Sequence, residues 1–88
     1  MFRFKRSIPL DYNAQGYIYF QSLRYRGLTE REKKKIRDLC AAAGGEYQEA
    51  VLAFVTGEEG ANAICQRYYI SRSTLERMVR KYYLLWEW

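Results

Sequence analysis

Between Ala61 and Lys81 the apolar residues recur at helical spacing in two runs separated by a short break. Ile64 and Tyr68 stand four apart, Ile70 follows, and beyond Ser71 come Leu75, Met78 and Val79. This spacing predicts two helices that meet across a turn of a few residues. Ser71 marks where the second begins, because its hydroxyl can accept a hydrogen bond from an early backbone N–H that the first helical turn leaves unpaired. With Leu75, Met78 and Val79 inward, the outward face of that helix presents Arg72, Ser73, Glu76, Arg77 and Arg80.

Two more helices are expected upstream. Thr29 followed by Glu32 forms a capping box, in which hydroxyl and carboxylate each satisfy a backbone N–H of the other's residue. Ile36, Leu39, Cys40 and Ala43 then lie on one face, and Gly44-Gly45 ends the helix. A second helix is predicted from about Glu46 to Thr56, with Tyr47, Ala50, Val51, Phe54 and Val55 inward. Gly57 and Gly60 bracket the next turn. Lys33, Lys34, Lys35 and Arg37 read as a solvated helix face, since Glu30, Glu32 and Asp38 neutralise the same helix.

The first 27 residues read differently. Phe2 and Phe4 alternate with Arg3 and Lys5, as on an edge strand, and Tyr17-Ile18-Tyr19-Phe20 is β-prone. Asp11, Asn13 and Gly16 between the two stretches favour turns. The expected architecture is mainly α: a short N-terminal β-hairpin or ribbon, then a four-helix domain ending in the helix pair. Eighty-eight residues make one small domain, divided as 1–27, 28–57 and 58–88. The expected core comprises Ile36, Leu39, Phe54, Ile64, Ile70, Leu75 and Met78.

The segment from Ala61 to Lys81 resembles the helix-turn-helix superfamily, and most of all the versions in the DNA-binding regions of resolvases, invertases and transposases. In that likeness Cys65 is the small residue where the first helix passes close to the second. Ile64, Tyr68, Ile70, Leu75 and Met78 take the inner contacts, and Ser71 caps the recognition helix, Ser71 to Lys81. One position departs. The family usually places Gly in the turn, where the backbone is left-handed, and Tyr69 stands there. Either the turn carries strain of order 1 kcal/mol or its geometry differs. The resemblance covers about residues 60–83 and implies a DNA-binding face formed by Arg67, Ser71, Arg72, Ser73, Glu76, Arg77, Arg80 and Lys81. Arginine forks match guanine edges or clamp phosphates, and hydroxyls near a helix start reach bases or backbone.

Composition narrows the chemistry. The chain has no His, which removes the commonest general base, and no paired carboxylates suggest an enzyme. Cys40 and Cys65 sit among apolar residues and read as reduced core thiols; no metal site and no cofactor are expected. No apolar run approaches the roughly 20 residues of a membrane span, and no signal peptide is read at the N-terminus. A cytoplasmic protein with no membrane partner is the expectation. The net charge of +5 is uneven: +4 over residues 1–27, zero over 28–57 and +1 over 58–88. That excess attracts a polyanion without proving one.

The aromatic C-terminus, Tyr82 to Trp88, has two readings. It extends the last helix and closes the core, or Trp86 and Trp88, with the N-terminal aromatic segment, form a homodimer surface. For function, the expectation is a small helix-turn-helix protein that binds double-stranded DNA, a transcriptional regulator or accessory factor of a phage or mobile element. The alternative is a protein-interaction module on the same scaffold, such as an inhibitor of a host nucleic-acid enzyme. The near-neutral last 31 residues and the tyrosines support that alternative.

Overall fold

The computed structural model describes residues 4–86, and no strand occurs among them. Five helices follow one another: α1 (Tyr12–Leu23), α2 (Glu30–Gly44), α3 (Gln48–Val55), α4 (Ala61–Tyr68) and α5 (Arg72–Leu85). Short 3-10 turns at Tyr25–Gly27 and Gly45–Tyr47 join α1 to α2 and α2 to α3.

The expected N-terminal hairpin is absent from the described residues; Phe2, Arg3 and Trp88, named in the sequence reading, lie outside them. In place of the second strand stands α1. Asp11 is its N-cap and accepts from the Ala14 N–H at 2.7 Å, so the residue read as a turn former starts a helix. Gln15, Ile18 and Ser22 are its buried residues, spaced i, i+3 and i+7. The period of the buried face is therefore helical, although two of its three members are polar. Tyr17, Tyr19 and Phe20, whose β propensity suggested a strand, occupy the exposed or half-exposed flanks. Tertiary contacts outweigh that local propensity.

Gln15 also explains why the segment before α1 is an ordered loop. Its Oε1 accepts from the Lys5 N–H at 2.9 Å. Its Nε2 donates to the carbonyls of Lys5, Ile8 and Leu10 at 2.8, 3.1 and 3.1 Å. An extended loop has no ladder for its peptide groups, so the buried amide supplies the partners. Ile8 then enters the core, 2% exposed.

The four helix starts expected near Thr29, Glu46, Gly60 and Ser71 are all present, the second after a 3-10 turn. The Thr29–Glu32 capping box is complete. The Thr29 N–H and hydroxyl both donate to Glu32 Oε1, and these bonds hold the carboxyl below the usual range. At the far end Gly45 adopts φ 57° and ψ −122°, open to glycine alone. A Cβ on Gly44 would stand 2.8 Å from Val51 Cγ2, so the pair both turns the chain and lets α3 approach.

Helix α2 packs against both α3 and α5, and α4 packs against α3 and α5. Ile36, Ile64, Leu75 and Met78 are buried as expected, while Leu39, Phe54 and Ile70 are half-buried at the margin of the same core. Missed from the sequence were Ile8 and Ile18. Tyr82 is fully buried on α5, and its hydroxyl lies 2.7 Å from that of Ser22. Ser22 donates its own proton to the Ile18 carbonyl, so Tyr82 is the donor in the pair and ties α5 to α1. Burial raises the Tyr82 phenol far above its ordinary range. Trp86 is 7% exposed, edge-on to Tyr17 and Tyr82 and under the Lys35 ammonium at 4.9 Å. Its indole is packed in this chain's own core.

Candidate functional site

Helix α5 is the second helix of the pair joined at Tyr69, and its phase decides which of its side chains face outward. Leu75, Met78, Val79, Tyr82 and Tyr83 are its buried residues. At about 100° per residue, Ser73, Arg77 and Leu84 then stand on the side farthest from the core. Arg72, Ser73, Glu76, Arg77, Arg80 and Lys81 are all exposed, as are Ser71 at the N-cap and Arg67 on α4. All eight residues of the expected face are at the surface.

The turn that sets α5 against α4 is made by Tyr69. Its backbone is left-handed, φ 56° and ψ 43°, where the sequence reading placed either strain or an altered turn. It is the one non-glycine with positive φ among the described residues. The conformation lets the Ile70 N–H return to the Cys65 carbonyl at 3.1 Å, closing the end of α4. The ring is 93% exposed, so no packing compels tyrosine here. Ser71 Oγ accepts from the Thr74 N–H at 3.1 Å and starts α5 as expected.

The eight residues differ in how far the protein already occupies them. Arg67 is engaged three ways: Glu59 at 2.7 Å, the Tyr68 hydroxyl at 3.0 Å and the Tyr68 ring at 4.9 Å. The Tyr68 hydroxyl first, then Glu59, hold its guanidinium the more firmly protonated. Arg72 donates to Asn62 Oδ1 at 3.2 Å across the α4–α5 junction and stands 3.8 Å from Glu76. That ion pair is long, exposed and worth little in water. Glu76 therefore faces Arg72, four residues earlier, rather than Arg80, four residues later. Arg80 donates from Nε to the Ser7 carbonyl at 2.9 Å, so part of its fork is turned to the N-terminal loop. Arg77 and Lys81 have no ion pair or hydrogen bond among the described residues.

Two neighbours of this face were not legible in the sequence. Ser7 supports Arg80, and Lys5 lines one cleft together with Arg72 and Glu76. Both belong to the N-terminal loop, which the Gln15 amide, the buried Ile8 and the Arg80–Ser7 bond hold against the helices. The α2 cations have largely local partners. Lys33 sits over the Tyr25 ring and beside Glu30, Lys34 pairs with Asp38, and Arg37 donates to the Tyr25 hydroxyl.

Among the described residues no cluster of His, Cys, Asp or Glu could hold a metal ion, and no helix is long and apolar enough to cross a membrane. Cys40 is buried on α2, and burial pushes its thiol up to about 12; Cys65 is half-buried on α4. A thiol so far from ionising is neither a ready nucleophile nor a metal ligand. Compared with family models, curated proteins and solved structures, the chain matches none.

Proposed function

We propose that this chain is a helix-turn-helix protein that binds double-stranded DNA through the outer face of α5, acting in the cytoplasm as a small regulator or accessory factor of the kind carried by phages and mobile elements. The observation that carries the reading is the presentation of Arg77 and Lys81. Both are exposed on the side of α5 away from the core, with no intramolecular partner among the described residues. Arg72 and Arg80 flank them on the same helix, and Ser71 and Ser73 offer hydroxyls at its start. A rigid helix carrying guanidinium groups matches what a major groove admits and reads. Lys5, whose backbone Gln15 clasps and which lines the same cleft as Arg72, extends the positive charge toward the N-terminal loop.

The test is a fluorescence titration against a pool of duplexes at two salt concentrations. Log affinity should fall linearly with log salt as counterions return to the backbone. Arg77→Ala should cost about 1–3 kcal/mol and relax sequence preference, because it removes a base contact. Lys81→Ala should weaken all sequences alike, as loss of a phosphate contact does. Binding no tighter than that of a generic basic protein, or no loss with Arg77→Ala, sinks the proposal. A protein-interaction module then takes its place. That second reading draws on the exposed Phe4, Tyr12 and Phe20, at 45%, 63% and 53%, gathered at and near α1.

A further inference from the structure

Four segments that are remote in sequence surround a cleft of about 240 Å³. The N-terminal loop forms one wall, the end of α3 and the start of α4 a second, and the first two turns of α5 the third. Its floor is core: Ile8, Leu75 and Val79 are 2%, 1% and 3% exposed. Phe54 and Ala61 continue the apolar surface up the α3–α4 side. The charged members are Lys5, Arg72 and Glu76.

We propose that this cleft binds a small organic monoanion, a carboxylate on a short apolar body. Each half of that chemistry has its own support. The apolar floor favours a guest with an apolar part over a free inorganic anion, because covering aliphatic surface removes it from water. The volume equals that of about eight water molecules, which limits the guest to about eight non-hydrogen atoms. The charges select its sign: two cationic residues and one carboxylate line the cleft, so a single negative charge leaves the lining neutral. Lys5 is the available partner. Its ammonium has no ion pair among the described residues, while its backbone N–H and carbonyl are both fixed by Gln15. Arg72 donates to Asn62 Oδ1 at 3.2 Å through one guanidinium nitrogen, and the other, 3.8 Å from Glu76, can turn from that carboxylate to another. The site is thus preorganised at the Lys5 backbone and adjustable at the Arg72 side chain. Nothing in it requires DNA contact by α5.

The probe is hexanoate, with hexanamide as its neutral isostere, titrated into the full chain without DNA and followed by methyl NMR. Hexanoate should give saturable shifts centred on the Ile8, Leu75 and Val79 methyls and bind about tenfold more tightly than hexanamide, a charge-assisted hydrogen bond's worth of discrimination. Lys5→Gln, which keeps the Gln15 backbone clasp, should lower hexanoate affinity several-fold and leave hexanamide unchanged. Equal binding of acid and amide overturns the proposal. So do shifts scattered away from the cleft, or a Lys5→Gln chain that binds hexanoate as the native one does. Because no arm includes DNA, a failed duplex titration leaves this result standing.

Discussion

Gln15 is fully buried, yet each end of its amide has work outside its own helix. Two N–H groups serve three carbonyls, and the oxygen takes a backbone N–H, so one side chain organises residues 5–10. Gln15→Leu keeps nearly the same volume and removes every one of those bonds. It should cost about 1–3 kcal/mol in urea unfolding, the penalty for stranding buried polar groups. A change of a few tenths would mean that water replaces the amide without loss. Tyr69 presents the opposite case, a residue that its position does not favour. A left-handed backbone costs a non-glycine of order 1 kcal/mol, and the exposed ring repays none of it by packing. Tyr69→Gly should therefore raise stability by up to about 0.5 kcal/mol, what remains of the relief after glycine's greater unfolded-state entropy. A lower urea midpoint would show that the tyrosine makes a contact of its own.

At the scale of elements, α5 has two duties that share one rotational setting. Leu75, Val79 and Tyr82 fix which way it turns, and that turn presents Arg77 and Lys81 outward. Leu75→Ala leaves a cavity under both the cleft and the candidate reading face, and should cost about 2–5 kcal/mol. A thermal melt that barely moves would mean that the phase of α5 is wrong, and with it the assignment of the arginines. The two ends of α5 are held by different means. Its start depends on the Ser71 cap and the αL turn before it, both local. Its last turns depend on the Tyr82–Ser22 hydroxyl pair and on Trp86 against Tyr17, contacts made with α1. Helix α1 thus supports the far end of the helix it was not expected to meet as a helix.

For the whole molecule, the buried ionisable groups set an alkaline limit. Burial raises the Cys40 thiol from 9.0 and the Tyr83 phenol from 10.0, each to about 12. In the unfolded chain both ionise near their ordinary values, while in the fold they stay protonated. Their contribution to stability is therefore fully present below about pH 9 and is lost as pH rises toward 12. Urea midpoints should accordingly fall between about pH 8 and about pH 11. Cys40→Ala should show a smaller fall than the native chain, since one of the buried groups is gone. A midpoint unchanged across that window, or an equal fall in Cys40→Ala, would show that these groups titrate alike in both states. The same burial should keep Cys40 unreactive to thiol reagents until the molecule unfolds.

What the sequence determined by itself is what local chemistry specifies. A cap acts within three residues and an apolar stripe repeats within one or two turns, so Thr29, Gly60 and Ser71 announce their helices without help. The same locality made the phase of α5 readable, and through that phase the outward placement of Arg72, Ser73, Glu76, Arg77 and Arg80. What the tertiary structure decided depends on partners distant in the chain. α1 is a helix because Gln15, Ile18 and Ser22 find the N-terminal loop, the core and Tyr82; none of these is visible from a run of β-prone aromatics. Arg80 turns part of its fork to Ser7, 73 residues away, and Lys5 arrives beside Arg72 from the opposite end of the sequence. Side chains of that kind carry no signature of their partner, since a backbone carbonyl or an apolar wall can be supplied by any residue. The surface of α5 was therefore legible one residue at a time, whereas which of its cations are already occupied was settled only where the chain folds back upon itself.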